Sequence, residues 1–393
     1  MRIRLKDAFD LQMGKTPARN TPSYWDGDHK WISIADIGSA GKYIATTKER
    51  ITDKAITESG IRAVPAHTVI MSFKLSIGKT AITSEEMYTN EAIMAFVSKG
   101  TYDIDADYLY HLCCGTEWTE GTNKAVMGLT LNKATLSEKR ISLPEITEQR
   151  NIAAKFDALD NVIEKTQSEL SSLDQLVKSR FVEMFGDPVS NPHGFEQVAL
   201  SQLAEIKIGP FGSLLHKEDY IEGGHPLLNP SHISEGRIVP DDKLTVSDSK
   251  YAEMEAYHLH TGDIVMGRRG EMGRCAVVPD EGYLCGTGSL LIRTKGEVTA
   301  DYLQKVISFP TFKKTIEDMA VGQTMPNLNV PIVSSFQIIK PPIDVQRRYY
   351  AFVAEVDKSK FRIQKSLSTS RKLWTMAQID AIMNMDFSTQ RSL

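Results

Sequence analysis

Residues 143–188 read LPEITEQRNIAAKFDALDNVIEKTQSELSSLDQLVKSRFVEMFGDP, and their spacing decides the fold. After Leu143-Pro144 the chain reaches Phe185 without a glycine or a proline. Ile152, Phe156, Leu159, Ile163, Leu170, Leu173 and Val177 recur in steps of three and four, a heptad seam broken by Thr166. Gly186-Asp187-Pro188 then supplies a helix stop. The pattern predicts one helix of roughly 55 Å. A second tract follows Pro341-Pro342 and carries Tyr349, Val353, Val356, Ile363, Leu367 and Trp374. Lys360 and Ser370 fall on its seam, with Phe361 and Leu373 one step away expected to compensate. Each stripe needs an apolar partner. Residues 145–185 carry net −3 and residues 344–393 net +4, which favours pairing of the two helices with each other. A whole globular segment lies between them, so the expected pairing is antiparallel. Two independent helices, each folded onto its own domain, form the other arrangement.

The helix is the second part of a unit that occurs twice in the chain. Residues 69–83 (VIMSFKLSIGKTAIT) align with residues 264–278 (IVMGRRGEMGRCAVV) at an offset of 195. Ala106-Asp-Tyr-Leu109 meets Ala300-Asp-Tyr-Leu303 at 194, and Leu131-Asn132, Pro144, Gln149-Arg150 and Asp160 meet Leu328-Asn329, Pro341, Gln346-Arg347 and Asp357 at 197. The chain is therefore read as a tandem duplication. Short β-branched runs such as Trp31-Ile-Ser-Ile34 and Asp263-Ile-Val-Met266, punctuated by Gly and Pro, predict several strands before each long helix. The expected fold class is α+β. Two pseudo-symmetric globular α/β domains (1–143 and 187–340) are joined by two long antiparallel helices (144–186 and 341–387) forming a coiled-coil rod, with a tail at 388–393.

Composition limits what such a molecule does. The chain has 393 residues, with 46 Lys and Arg against 50 Asp and Glu, a net charge of −4. That argues against a free-standing, strongly basic nucleic-acid binder. No apolar run approaches the roughly 18 residues of a membrane helix, and Met1-Arg-Ile-Arg-Leu-Lys6 is too charged for a signal peptide. A cytoplasmic protein with no membrane contact is expected. Cys113, Cys114, Cys275 and Cys285 match no zinc spacing and read as buried thiols. Gly14-Lys-Thr16 and Gly78-Lys-Thr80 lack the earlier glycine of a phosphate-binding loop, since Phe9 and Phe73 stand there. Asn229-Pro230-Ser231-His232 lacks the second proline and the aromatic residue of an amino-methyltransferase loop, and the histidines show no ligand spacing. No catalytic or metal site is expected.

What remains points to recognition. Gly267-Arg-Arg-Gly-Glu-Met-Gly-Arg274 sets Arg268, Arg269 and Arg274 in a glycine-punctuated loop after a strand. Guanidinium groups there can donate in pairs to phosphate or to a guanine edge. The matching loop of the first copy offers Lys74 and Lys79. Lys15, Thr16, Arg19 and Tyr24 lie in the opening loops of the first copy, and Phe211, Ser213 and Asn229 in those of the second. These loops differ between copies while the scaffold repeats, as expected if each head reads something different. Gln149, Phe156, Leu159, Ile163 and Leu170, with Gln346, Val353, Val356, Leu367 and Trp374, are the candidates for helix pairing and partner docking.

These features together resemble the DNA-specificity subunit of Type I restriction–modification systems, over nearly the whole chain. The resemblance rests on Met13-Gly-Lys-Thr-Pro17 followed by Trp31-Ile-Ser-Ile-Ala-Asp36, on Ile208-Gly-Pro-Phe-Gly-Ser213, and on Arg269-Gly-Glu-Met-Gly273. Its most telling part is Leu143-Pro-Glu-Ile-Thr-Glu-Gln-Arg150 with the distal copy Pro341-Pro-Ile-Asp-Val-Gln-Arg347. The resemblance implies two target recognition domains, each reading half of a split site in double-stranded DNA. It implies helices that set the gap and dock two methyltransferase subunits. S-adenosylmethionine and ATP would belong to partner subunits, among them restriction subunits, with no cofactor and no catalysis in this chain. Val345 departs from the pattern where Glu148 stands in the central copy, and Lys360 interrupts the distal seam. The competing reading is a coiled-coil adaptor or regulatory protein without sequence-specific DNA binding.

Overall fold

A computed structural model of the chain describes residues 1–74, 76–118, 131–210, 214–320 and 327–383, the side chains of 377–383 excepted. The central helix runs over Ile146–Phe185 (40 residues) and the distal helix over Ile343–Met383 (41 residues). The central helix ends because Gly186 takes a left-handed conformation (φ +73°) while its N–H donates to Val182 O at 2.8 Å. A side chain there is excluded, since a Cβ would come within 2.4 Å of Pro192 Cγ.

The chain divides into two compact units. One comprises Met1–Glu169 with the C-terminal segment from Ile363, and the other Leu170–Arg362. Each unit thus holds one sheet-bearing head and a portion of each long helix.

In the first unit, a five-stranded sheet runs Phe9–Met13, Ile93–Ser98, Val69–Ser72, Thr80–Thr83, Tyr43–Ile44. Its core is formed by Leu11, Met71, Ile82 and Phe96 against Tyr108, Leu109 and Leu112 of the helix Ala106–Gly115. Ala153 and Ile152 of the central helix close this core, so the first turns of that helix face their own head. The strand Arg2–Arg4 pairs antiparallel with Arg140–Ser142 and brings the start of the head beside the root of the helix.

The second unit repeats the plan. Its four-stranded sheet runs Ala204–Ile208, Ser289–Thr294, Ile264–Gly267, Cys275–Val277, and Gln197–Ala199 pairs with Gln337–Ile339. The hairpin register is the same in both copies. Val69 faces Ile82 and Met71 faces Thr80 in one, while Ile264 faces Val277 and Met266 faces Cys275 in the other. Buried polar contacts repeat as well. Tyr108 donates to Ser142 O (3.1 Å) and Tyr302 to Ile339 O (3.0 Å). Asn132 and Asn329 cap equivalent short helices.

The long helices pack against each other in each unit. Phe156 meets Trp374 edge to face with centroids 6.1 Å apart. In the second unit the Tyr349 hydroxyl donates to Val177 O (3.2 Å) and its ring lies 5.5 Å from Phe181, while Lys360 pairs with Asp174. Numbers rise on one helix as they fall on the other, so the packing is antiparallel. One expectation is corrected here. Phe361 is 69% exposed and Leu373 52% exposed, so neither compensates for the polar seam positions. Lys360 and Ser370 stay on the inner face, half-buried. The lysine stem reaches along apolar surface, and its ammonium finds Asp174, with Asp357 at 3.7 Å. A seam position thus tolerates a lysine when the facing helix supplies a carboxylate.

No helix among the described residues is long and apolar enough to cross a membrane. Cys113, Cys275 and Cys285 are buried thiols and Cys114 is half-buried.

Candidate nucleic-acid interface

In the second head the hairpin Ile264–Gly267/Cys275–Val277 projects the arginine loop. Gly270 (φ +80°) and Gly273 (φ +73°) give the loop its left-handed turns. The three arginines it carries are not equivalent. Arg274 donates to Glu271 (2.7 Å) and to Pro230 O (3.2 Å), so it braces the loop. Glu271 is bonded by Lys313 and by Arg274, which hold its carboxyl at about 2. Arg268 is half-buried, with Nε donating to Asn327 Oδ1 (3.1 Å) and its N–H to Gly288 O (3.0 Å). Arg269 is anchored by backbone pairing with Asn327, and its exposed side chain has no hydrogen-bond or ion-pair partner among the described residues. Asn229 joins this cluster by accepting from Gly288 N–H (3.3 Å). The structure therefore gathers Asn229, Arg268, Arg269 and Arg274 in one place. Phe211 and Ser213 lie outside the described residues.

The first head is built differently. Arg19 lies 4.1 Å from the ring centroid of Trp25 and 4.9 Å from that of Trp31, and it bonds Glu49 at 3.0 Å. Trp31 Nε1 donates to Lys15 O (3.1 Å), and the Tyr24 hydroxyl donates to Glu58 (2.6 Å). Thr16 bonds Glu91, and the Lys15 ammonium bonds Ser59 O. Lys15, Thr16, Arg19 and Tyr24 thus form one aromatic-backed cluster, with every side chain engaged inside its own head. Lys74 and Lys79 stand apart on the hairpin loop, Lys74 over the Phe73 ring (5.3 Å) and Lys79 exposed.

Two residues of the arginine cluster escaped the sequence reading. Glu271 lies three residues before Arg274 and carried a legible charge-pair signal. Asn327 lies 59 residues from Arg268 and carried none.

Among the docking candidates, Leu159, Ile163, Leu170 and Val353 are half-buried along the seam, and Phe156, Val356 and Leu367 are buried. Gln149 and Gln346 do not present a surface to anything outside. They are 1% and 0% exposed. Gln149 accepts from Asp105 N–H (2.9 Å) and donates to Asp103 O (3.0 Å) and Pro144 O (2.9 Å). Gln346 accepts from Thr299 N–H (2.9 Å) and donates to Pro341 O (2.9 Å) and Glu297 O (3.5 Å). Each amide ties a head to the root of its helix, because buried main-chain groups at a helix start need side-chain partners. Trp374 packs on Phe156 within the first unit.

A family model described as "Type I restriction modification DNA specificity domain" matches residues 1–174 and again 192–370. The chain is 24% identical to the Type I restriction enzyme MjaIX specificity subunit of Methanocaldococcus jannaschii, over 94% of this chain and 89% of that one. Its fold is shared with a chain from a structure described for complex assembly and conformational transition of the type I R-M system, with a TM-score of 0.68 at 17% identity over 97% of each. It is shared also with the S subunit of a Type-I restriction-modification system from M. genitalium, with a TM-score of 0.55 at 15% identity over 97% of this chain and 96% of that one.

Proposed function

We infer the function from one premise: the chain belongs to the Type I restriction–modification DNA specificity family. It is the non-catalytic specificity component of such a system. On the reading we propose, residues 1–143 and 187–340 are target recognition domains, each reading one half of a bipartite site in double-stranded DNA. The helices at 144–186 and 341–387 set the gap and dock two methyltransferase subunits, and 388–393 form a tail. S-adenosylmethionine and ATP are used by the partner subunits, restriction subunits included. The observation that carries this reading is the repeated hairpin. Its backbone register is identical in both heads, while one loop carries three arginines and the other two lysines. A conserved frame with divergent tips is what two different half-sites require.

Exchange of residues 1–143 for the same region of a relative is the test. The expected result is a new sequence in one half of the methylated site and an unchanged other half, read by sequencing modified DNA. A change in both halves, or in neither, defeats the modular reading.

Of the three loop arginines, Arg269 is the one whose exposed side chain has no partner among the described residues. Arg269→Ala is expected to weaken binding by about 1–3 kcal/mol, the cost of a lost bidentate base contact, with specificity relaxed in one half-site only. Arg268→Ala acts on the same half-site and also releases Asn327. A competition assay with single-base variants of each half-site reads both effects, and an equal loss on every sequence would reassign Arg269 to the phosphate backbone.

A further inference from the structure

The first unit contains a cleft of about 630 Å³ between its head and the long helices, and neither the hairpin loops nor the seam account for it. At its floor His111 is 2% exposed and stacks on Phe156 with centroids 5.2 Å apart. Its Nε2 bonds Asp157 Oδ1 at 2.7 Å, so Nε2 carries the hydrogen and Nδ1 presents a lone pair. Burial lowers the affinity of this imidazole for a second proton. Nδ1 is buried without a hydrogen-bond partner, and it faces Asp160 Oδ2 at 3.8 Å, beyond hydrogen-bond reach. Nδ1 and Asp160 thus face each other as two acceptors, and the indole N–H of Trp374, which lines the same cleft, is likewise buried without a hydrogen-bond partner. Asp157, Asp160 and Glu164 line the cleft against a single ammonium, that of Lys42, which already bonds Asp157 (2.6 Å) and Asp107 (2.7 Å). Tyr110 and Trp374 supply aromatic walls.

This chemistry selects a cation that donates several hydrogen bonds in one plane and stacks on rings. A guanidinium does both, whereas an ammonium lacks the flat face. We propose that the cleft is a socket for an arginine side chain of a methyltransferase subunit, its guanidinium bridging His111 Nδ1 and Asp160 beside Tyr110 and Trp374. The proposal rests on the reading that this chain docks such subunits. In the second unit the residue matching His111 at the offset of 194 is Lys305, which brings a cation of its own in place of the imidazole. The two docking positions are therefore unequal.

The test uses the full chain co-expressed with the methyltransferase subunit of its own system, with assembly followed by light scattering over a concentration series. Asp160→Asn keeps the shape and removes the charge. It is expected to weaken uptake of one methyltransferase copy about tenfold, the worth of a charge-assisted hydrogen bond, and to leave the other copy bound. Asp160→Glu is expected to retain both. In a second arm N-acetyl-L-argininamide is titrated into the chain alone and tryptophan fluorescence is read, with the citrulline analogue as the uncharged control. A saturable response to the arginine probe, absent with citrulline and absent in Asp160→Asn, supports the socket. An Asp160→Asn chain that assembles like the wild type, or responses that are the same for both probes, overturns it. If the wild-type chain takes up no methyltransferase subunit, the functional reading fails, and the arginine probe still decides whether the cleft binds a guanidinium.

Discussion

Gln149→Ala is expected to destabilise the first unit by about 2–4 kcal/mol, because it leaves one buried N–H and two carbonyls at the root of the central helix without their partner. Gln346→Ala should do the same to the second unit, where the amide meets the equivalent three groups. Gln149→Glu separates a hydrogen-bonding role from a packing role. A glutamate fills the same space and can still accept from Asp105 N–H, but Asp103 O and Pro144 O then face a carboxylate that donates nothing. Burying that charge costs more than the lost bonds. The glutamate variant should therefore be no more stable than the alanine variant. Chemical denaturation with probes in each unit measures this, and a glutamate variant as stable as the wild type would mean that the amide only fills space. Because the amide holds head to helix, Gln149→Ala is also expected to blur the spacing of one half-site before it abolishes binding.

The second large effect lies in the second unit. Phe181 is fully buried, and its ring lies 5.0 Å from Phe185, 5.5 Å from both Phe309 and Tyr349, and 6.3 Å from Tyr302. These rings come from the central helix, the head and the distal helix, so one side chain joins three elements. Phe181→Ala is expected to cost about 3–5 kcal/mol, the transfer of a phenyl ring plus the cavity left among neighbours that cannot all collapse inward. Phe181→Leu should recover roughly half, since it restores volume but not the ring contacts. Hydrogen exchange offers an independent check. Amides of Ala300–Ile307 should lose protection in Phe181→Ala, whereas those of Ala106–Gly115 should not. A loss below about 1 kcal/mol would show that the cluster repacks freely.

The two junctions differ in chemistry although they occupy matching places in the repeat. The second gathers the rings of Phe181, Phe185, Tyr302, Phe309 and Tyr349. The first places His111, Asp157, Asp160 and Lys42 where head meets helix. Burial pushes the Asp160 carboxyl up, which fits a group still lacking a cationic partner. A duplicated chain can keep its frame and vary its joints, since the frame depends on pattern and the joints on a few side chains.

Much of this architecture was legible in the sequence. Steps of three and four over Ile152 to Val177 specify a helix because only a period near 3.6 puts those residues on one side. The repeat was legible because matched anchors kept their order and spacing. The same sequence misassigned three things. Gln149 and Gln346 looked like docking residues, since a glutamine at a helix start gives no sign of the carbonyls awaiting it. Phe361 and Leu373 looked like replacements for Lys360 and Ser370, yet Phe361 stands one residue after Lys360 and Leu373 one residue before the seam residue Trp374, and one residue is about 100° around a helix, which carries each side chain off the seam and into solvent. The three loop arginines looked alike, and only the positions of Glu271, Pro230 and Asn327 separate the brace from the exposed guanidinium.

Two heads, two long helices and their duplication follow from residue order, because periodicity and repetition are properties of order along the chain. Tertiary structure alone decided which polar groups are satisfied. The 44 residues between Asp105 and Gln149, the 59 between Arg268 and Asn327 and the 46 between His111 and Asp157 are closed only by folding. A hydrogen bond depends on a few tenths of an ångström and on direction, and neither is encoded in spacing. Charge behaves the same way. The net −4 of the chain speaks only of the whole, while the fold leaves Arg269 exposed in one head and the imidazole Nδ1 of His111 buried without a partner in the other unit.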